Sequence, residues 1–131
     1  MKLIAYEWNP RAAGWLQAVE MPHYTIWHMR DDVAQGAALF HVEQGGTETA
    51  AAILRADRGV LWCLALAGKM GGVKAIREFV AQAEVIARIN HCHQMAFMTR
   101  RRGLAGMMQK AGFEQVQVLL TRAHDGRIKQ Q

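Results

Sequence analysis

Serine is absent from all 131 residues, and cysteine and proline occur only twice each. Without serine there is no Ser-His-Asp triad, and neither cysteine has a partner in sequence that marks it as a nucleophile. Two prolines beside a hydrophobic fraction of 51% exclude the polar, proline-rich profile of a disordered chain. Cys63 and Cys92 are too few for a disulfide framework, and their apolar neighbours suit buried, reduced thiols of a cytoplasmic protein. No apolar run approaches the roughly 20 residues of a membrane span. The opening Met-Lys-Leu-Ile-Ala-Tyr-Glu-Trp reaches a glutamate too early for a secretory signal. Acidic residues are also in short supply, eleven against sixteen Lys plus Arg, which leaves a net charge of +5. That excess favours anionic partners without choosing among nucleic acid, a nucleotide cofactor and an acidic protein. At roughly 100–200 residues per domain, the length allows one domain; we read it as residues 1–121, with a polar tail over 122–131.

What is present falls into periodic segments. Leu3–Trp8 reads as a short strand. Asn9-Pro10 is a helix start, a capping side chain followed by proline in the first turn. Ala12, Trp15, Leu16 and Val19 then recur at helical spacing until Pro22, and Ile26, Met29 and Val33 predict a second helix over His23–Ala34. The period next changes to strands at Ala37–Glu43, Thr47–Leu54 and Val60–Leu66, joined by the turns Gln44-Gly45-Gly46 and Asp57-Arg58-Gly59. The third strand is almost wholly apolar, as expected of a central strand covered on both faces. A glycine-rich break, Gly68–Gly72, opens into the clearest helix. Its apolar face runs through Val73, Ile76, Val80, Ala83 and Ala87, and Lys74–Glu78 and Glu84–Arg88 stand as i,i+4 pairs. A strand at Met95–Thr99, a helix at Arg102–Ala111 ended by Gly112, and a strand at Val116–Leu120 complete the order. The helix between two strands is a crossover, so those strands run parallel. The expectation is an α/β fold with a mixed sheet, an antiparallel meander followed by a β-α-β crossover.

Three segments carry chemistry. The loop Gly68-Lys69-Met70-Gly71-Gly72 lies between a strand and a helix amino end, where backbone N–H groups and the helix dipole together suit an anion. It is neither a Walker loop nor the dinucleotide glycine fingerprint; the alternative is a tight turn that needs glycine for its backbone. Arg100-Arg101-Arg102 opens the last helix, where cations oppose the dipole unless an anion sits there. No aromatic residues interleave with these arginines, which argues against nucleic acid. His91-Cys92-His93 has no second ligand pair at zinc-site spacing, so no metal is expected.

The element order, the glycine loop and Met107-Met108-Gln109-Lys110-Ala111-Gly112-Phe113-Glu114 resemble the GNAT acyltransferase superfamily over about Ala37–Leu120. The likeness is strongest to short GNAT-like proteins of bacteriophages and prophages, through the stretch Ala87-Arg88-Ile89-Asn90-His91-Cys92 before a strand, an Arg-Gly turn and a Gly-Phe. The resemblance implies acetyl-CoA as cofactor. The backbone of the strand ending at Leu64 and Leu66 would hold the pantetheine, and Gly68, Lys69, Gly71 and Gly72 the pyrophosphate, with Arg101 and Arg102 near the phosphates. The family's loop pattern, Gln/Arg-x-x-Gly-x-Gly/Ala, is absent, and the tyrosine that often acts as general acid is here Met108. A base for the attacking amine is sought in His41, Glu43 and Glu48, which the meander brings to the sheet edge of the glycine loop; the two glutamates equally suit solvated positions flanking a hairpin. Two functions follow: a phage-type acyl-CoA-dependent N-acyltransferase in the host cytoplasm, or an inactive GNAT-fold protein that partners phage structural proteins in the virion.

Overall fold

A computed structural model of the chain describes residues 1–99 and 101–114. Arg100, the strand expected at Val116–Leu120 and the tail from residue 122 lie outside the described residues. Strand β1 (Lys2–Tyr6) leads into helix α1 (Pro10–Leu16), a single 3₁₀ turn (Gln17–Val19) and helix α2 (Ile26–Ala34). The meander is β2 (Ala38–Gln44), β3 (Thr47–Asp57) and β4 (Val60–Gly68), followed by α3 (Val73–Ile89), β5 (Gln94–Phe97) and α4 (Arg102–Lys110). The sheet order is β1-β2-β3-β4-β5, antiparallel throughout except for the parallel pair β4–β5 that α3 connects. No described helix is long and apolar enough to cross a membrane.

Local chemistry accounts for the boundaries. The Asn9 side chain accepts the Ala12 N–H at 3.0 Å, and Pro10 occupies the first turn of α1. Helix α2 starts three residues later than the apolar spacing predicts. Met21 and Tyr24 pair backbone to backbone in a tight turn, and Thr25 then caps the helix in a box with His28. β3 and β4 run longer than their apolar segments, because cross-strand pairing continues through Arg55, Ala56 and Asp57 at one end and through Ala67 and Gly68 at the other. Cys63 is buried as expected, whereas Cys92 is only half-buried; both are free thiols. Of the two i,i+4 pairs, Glu84–Arg88 forms at 3.6 Å, and Lys74–Glu78 is not an ion pair.

Each sheet face carries its own core. α3 and α4 cover one face, where Ile76, Phe79, Leu104 and Met108 pack on Val42, Ala50, Ala52, Leu54, Cys63 and Leu66. α1 and α2 cover the other, where Ala12, Leu16, Tyr24 and Met29 pack on Leu39, Ala51, Ile53, Leu64 and Ala67. Two irregularities interrupt the alternation. Between β2 and β3, Val42 pairs with Ala50 and Glu43 with Glu48, so Thr49 is an extra residue. Between β3 and β4, Ile53 pairs with Ala65 and Leu54 with Cys63, which makes Leu64 a bulge. Leu64 and Ala65 accordingly both face the α1–α2 core before alternation resumes at Leu66.

Candidate functional site

The sheet opens at the bulge. β4 and β5 pair from Val60–Gln94 to Cys63–Phe97, with a last bond from the Met98 N–H to the Cys63 carbonyl at 3.1 Å. Past Cys63, the bulged Leu64 is followed by Ala65–Gly68 paired with β3, and among the described residues no strand pairs with the other backbone edge of this stretch, which faces the gap between the two parallel strands. Leu64 and Leu66 bury their side chains in opposite cores, and what each offers to that gap is main chain.

Gly68 closes the strand at φ +141°, in contact with β3 that leaves no space for a side chain. A Cβ there would lie 2.3 Å from the Thr49 carbonyl oxygen and 2.5 Å from Ala50 Cα. The Lys69 N–H then donates to that same Thr49 carbonyl at 2.8 Å, and Gln44 Nε2 donates to the Met70 carbonyl at 3.3 Å while Thr49 Oγ1 donates to Gln44 Oε1 at 2.8 Å. Met70 is buried, and Lys69 and Gly71 are exposed. Gly71 and Gly72 both have positive φ, at 94° and 122°. Gly72 is the N-cap of α3 and brings no capping side chain, the first turn holds no acidic residue, and the first intrahelical bond is Ile76 N–H to the Gly72 carbonyl. The amino-terminal N–H groups of α3 are therefore left for solvent or an anion. At the start of α4, Arg101 and Arg102 are exposed; the Arg101 N–H is held by Thr99 Oγ1 at 3.0 Å, and that first turn too lacks an acidic residue. Because β4 and β5 are parallel, both helix starts stand at the end of the sheet where the strands part.

On the α1 side of the same sheet end, a polar chain crosses the apolar core. His41 is the one buried polar or charged residue among those described. Its Nδ1 contacts Glu48 Oε1, its Nε2 lies 3.0 Å from Asn9 Nδ2, and the Tyr6 ring packs on it at 4.1 Å. Glu48 Oε2 meets Arg11 Nη1 at 3.1 Å. Burial, reinforced by the Arg11 guanidinium, holds the His41 imidazole below its ordinary pKa of 6.5. Arg11, Gly14, Trp15, Gly46, Thr47 and Glu48 line an open hollow of about 510 Å³. Glu48 is thus shared between the buried imidazole and this open hollow. It also immediately precedes Thr49, whose carbonyl anchors the glycine loop.

Of the three residues expected to supply a base, the structure brings His41 and Glu48 together. Glu43 pairs across the ladder with Glu48 but makes no ion pair or side-chain hydrogen bond among the described residues. Asn9 and Arg11 complete the chain, and no sequence motif marks either as a site residue. Asn9-Pro10 announces only a helix start, and nothing in sequence links it to residues more than 30 positions away. His91 and His93 are exposed around the half-buried Cys92, and no group of three metal-ligating side chains comes together among the described residues.

No family model matches the chain, and no curated protein matches it. Solved structures do. The chain is similar to the aminoglycoside N-acetyltransferase AAC(6')-Iy in complex with the bisubstrate analogue CoA-S-monomethyl-acetylneamine, with a TM-score of 0.61 and 16% identity over 95% of this chain and 100% of that one. It is similar to the aminoglycoside 6'-N-acetyltransferase AAC(6')-IG of Acinetobacter haemolyticus, with a TM-score of 0.60 and 13% identity over 95% and 99% of the two chains. A probable acetyltransferase superposes with a TM-score of 0.63 and 9% identity over 98% and 100%. Five strands in a mixed sheet, a meander and one crossover helix, matched over whole chains, show that this protein has the GNAT acyltransferase fold.

Proposed function

We propose that the protein is an acyl-CoA-dependent N-acyltransferase that uses acetyl-CoA, of the type carried by phages and prophages and acting in the cytoplasm of the bacterial host. One observation carries the reading: a β4 edge unpaired among the described residues, an uncapped helix start with a glycine loop, and a partly exposed carboxylate on a hollow all meet at one end of the sheet. The residues fit the donor. The backbone of Leu64 and Leu66 offers hydrogen-bonding groups to an extended amide chain such as pantetheine. The N–H groups of Gly71 and Gly72 and the start of α3 suit a pyrophosphate, and Lys69, Arg101 and Arg102 bring positive charge to its phosphates. Ala87–Cys92, which carries the phage-type resemblance, closes α3 through the Cys92 N–H on the Ala87 carbonyl at 2.8 Å.

Acetyl-CoA supplies the electrophile, an acyl thioester. Glu48 faces the hollow, so it takes the proton from an acceptor ammonium and leaves the nitrogen lone pair free for the thioester carbonyl. His41 is buried behind Glu48 and holds the carboxylate in place, and Arg11 balances its charge at the solvent side. The new C–N bond would replace the C–S bond, and the second proton that the nitrogen loses on becoming an amide would end on the departing sulfur.

Calorimetry with acetyl-CoA and with CoA tests the reading. Binding in the micromolar range is expected, together with its loss when Gly71 and Gly72 are both replaced by leucine. Absence of heat with either ligand would refute it. One observation favours the inactive alternative, a virion structural or assembly protein that binds phage proteins: Met108 is 3% exposed and belongs to the α3–α4 core, so this position offers no hydroxyl to the leaving sulfur. Fixed stoichiometry of the chain in purified particles, without turnover of acetyl-CoA, would establish that alternative.

A further inference from the structure

The polar chain through His41 is directional, and Asn9 sets its direction. The Asn9 amide is oriented by two contacts that do not involve histidine. Its Oδ1 accepts the Ala12 N–H at 3.0 Å as the cap of α1, and its Nδ2 donates to the Glu7 carbonyl at 2.8 Å. An amide turned the other way would set NH₂ against an N–H and oxygen against a carbonyl, losing both bonds. The group that faces His41 Nε2 at 3.0 Å is therefore a donor. Nε2 must accept, which leaves the ring proton on Nδ1, the nitrogen in contact with Glu48 Oε1.

We propose that Asn9 is a positioning residue, which locks His41 as the neutral Nδ1–H tautomer and through it aims the Glu48 carboxylate into the hollow. The start of α1 and the polarity of the buried pair are then one device: the same carboxamide caps the helix and blocks the second imidazole nitrogen. Among the described residues, the charged and titratable groups that face the pair are Glu48 on Nδ1, Arg11 on the far oxygen of Glu48, Tyr6 on the ring, and Glu43 opposite Glu48 in the ladder. Neither Arg11 nor the Asn9 N–H favours imidazolium. Both agree with the depressed basicity that burial imposes. The proton placement stands on geometry alone; its use in amine deprotonation rests on the acyltransferase reading.

Nitrogen NMR of the imidazole in the intact protein separates the two. At neutral pH the wild type is expected to show His41 with a pyrrole-type Nδ1 and a pyridine-type Nε2. A protonated Nε2 in the wild type would overturn the proposal without touching the acyltransferase reading. Two variants dissociate capping from donation, since serine and aspartate both cap helices. Asn9→Ser keeps the cap and removes the donor, so His41 is expected to populate both tautomers. Asn9→Asp keeps the cap and presents an acceptor, so His41 should become a double donor between two carboxylates, its titration midpoint rising by about one pH unit or more. If the enzyme turns over acetyl-CoA, the acid limb of its pH–rate profile is expected to move in Asn9→Asp. A wild-type tautomer in Asn9→Ser, or an unmoved His41 titration in Asn9→Asp, would refute the lock.

Discussion

Replacing Gly68 by alanine tests the claim that the glycine loop is held by close backbone contact with β3. The added Cβ meets backbone atoms, the Thr49 oxygen at 2.3 Å and Ala50 Cα at 2.5 Å, so no side-chain rotation relieves it. Retreat of the strand would stretch the Lys69 N–H bond to Thr49, one residue further on. Overpacking of this kind costs about 1–3 kcal/mol, and forcing a residue with a Cβ to positive φ adds roughly 1 kcal/mol. The sum is about 3 kcal/mol. At about 4 °C per kcal/mol for a domain of this size, Tm falls by roughly 12 °C. Gly71→Ala is the control: φ is +94°, and nothing lies within 4 Å of a Cβ, so only the backbone strain of roughly 1 kcal/mol applies. Thermal unfolding of the wild type and both variants, followed by circular dichroism at one protein concentration, reads the difference. Equal Tm losses for the two variants would refute the close-contact argument.

Protonating buried His41 is expected to weaken the fold. Its folded pKa lies below the unfolded value of 6.5, so between the two the unfolded chain binds the extra proton and stability falls as pH drops from about 6.5 through the folded pKa. Urea unfolding at about pH 7.5 and pH 5 should show a steeper loss for the wild type than for His41→Gln; equal slopes would refute it. The double variant Arg101→Gln, Arg102→Gln removes two exposed cations that oppose the α4 dipole. Its Tm is expected to stay within a few degrees of wild type while its affinity for CoA drops by about tenfold or more, as charge-assisted hydrogen bonds require. A large Tm loss with unchanged affinity would make the cluster structural.

Most of the architecture was legible in sequence because it rests on short-range physics. The apolar face of α3 repeats over about four turns, Asn9-Pro10 and Gly112 punctuate helix ends, and the uninterrupted Val60–Leu66 run has no place except the middle of a sheet. What was not legible depends on residues distant in the chain. No local pattern marks Leu64 as a bulge, because the extra residue exists only relative to its β3 partner, yet that bulge lies where β4 parts from β5. His41 and Glu48 lie seven residues apart on one hairpin, so sequence alone could bring them to the same edge. It could not tell Glu48 from Glu43, since the choice is made by the irregularity at Thr49 and by Arg11 arriving from α1. The helix start at Asn9 was plain from sequence; that its spare N–H reaches a buried histidine 32 positions away was decided by the packing of α1 against the sheet. Periodicity and capping act within a few residues, whereas the environment of a buried proton is set by whichever groups the tertiary fold places around it.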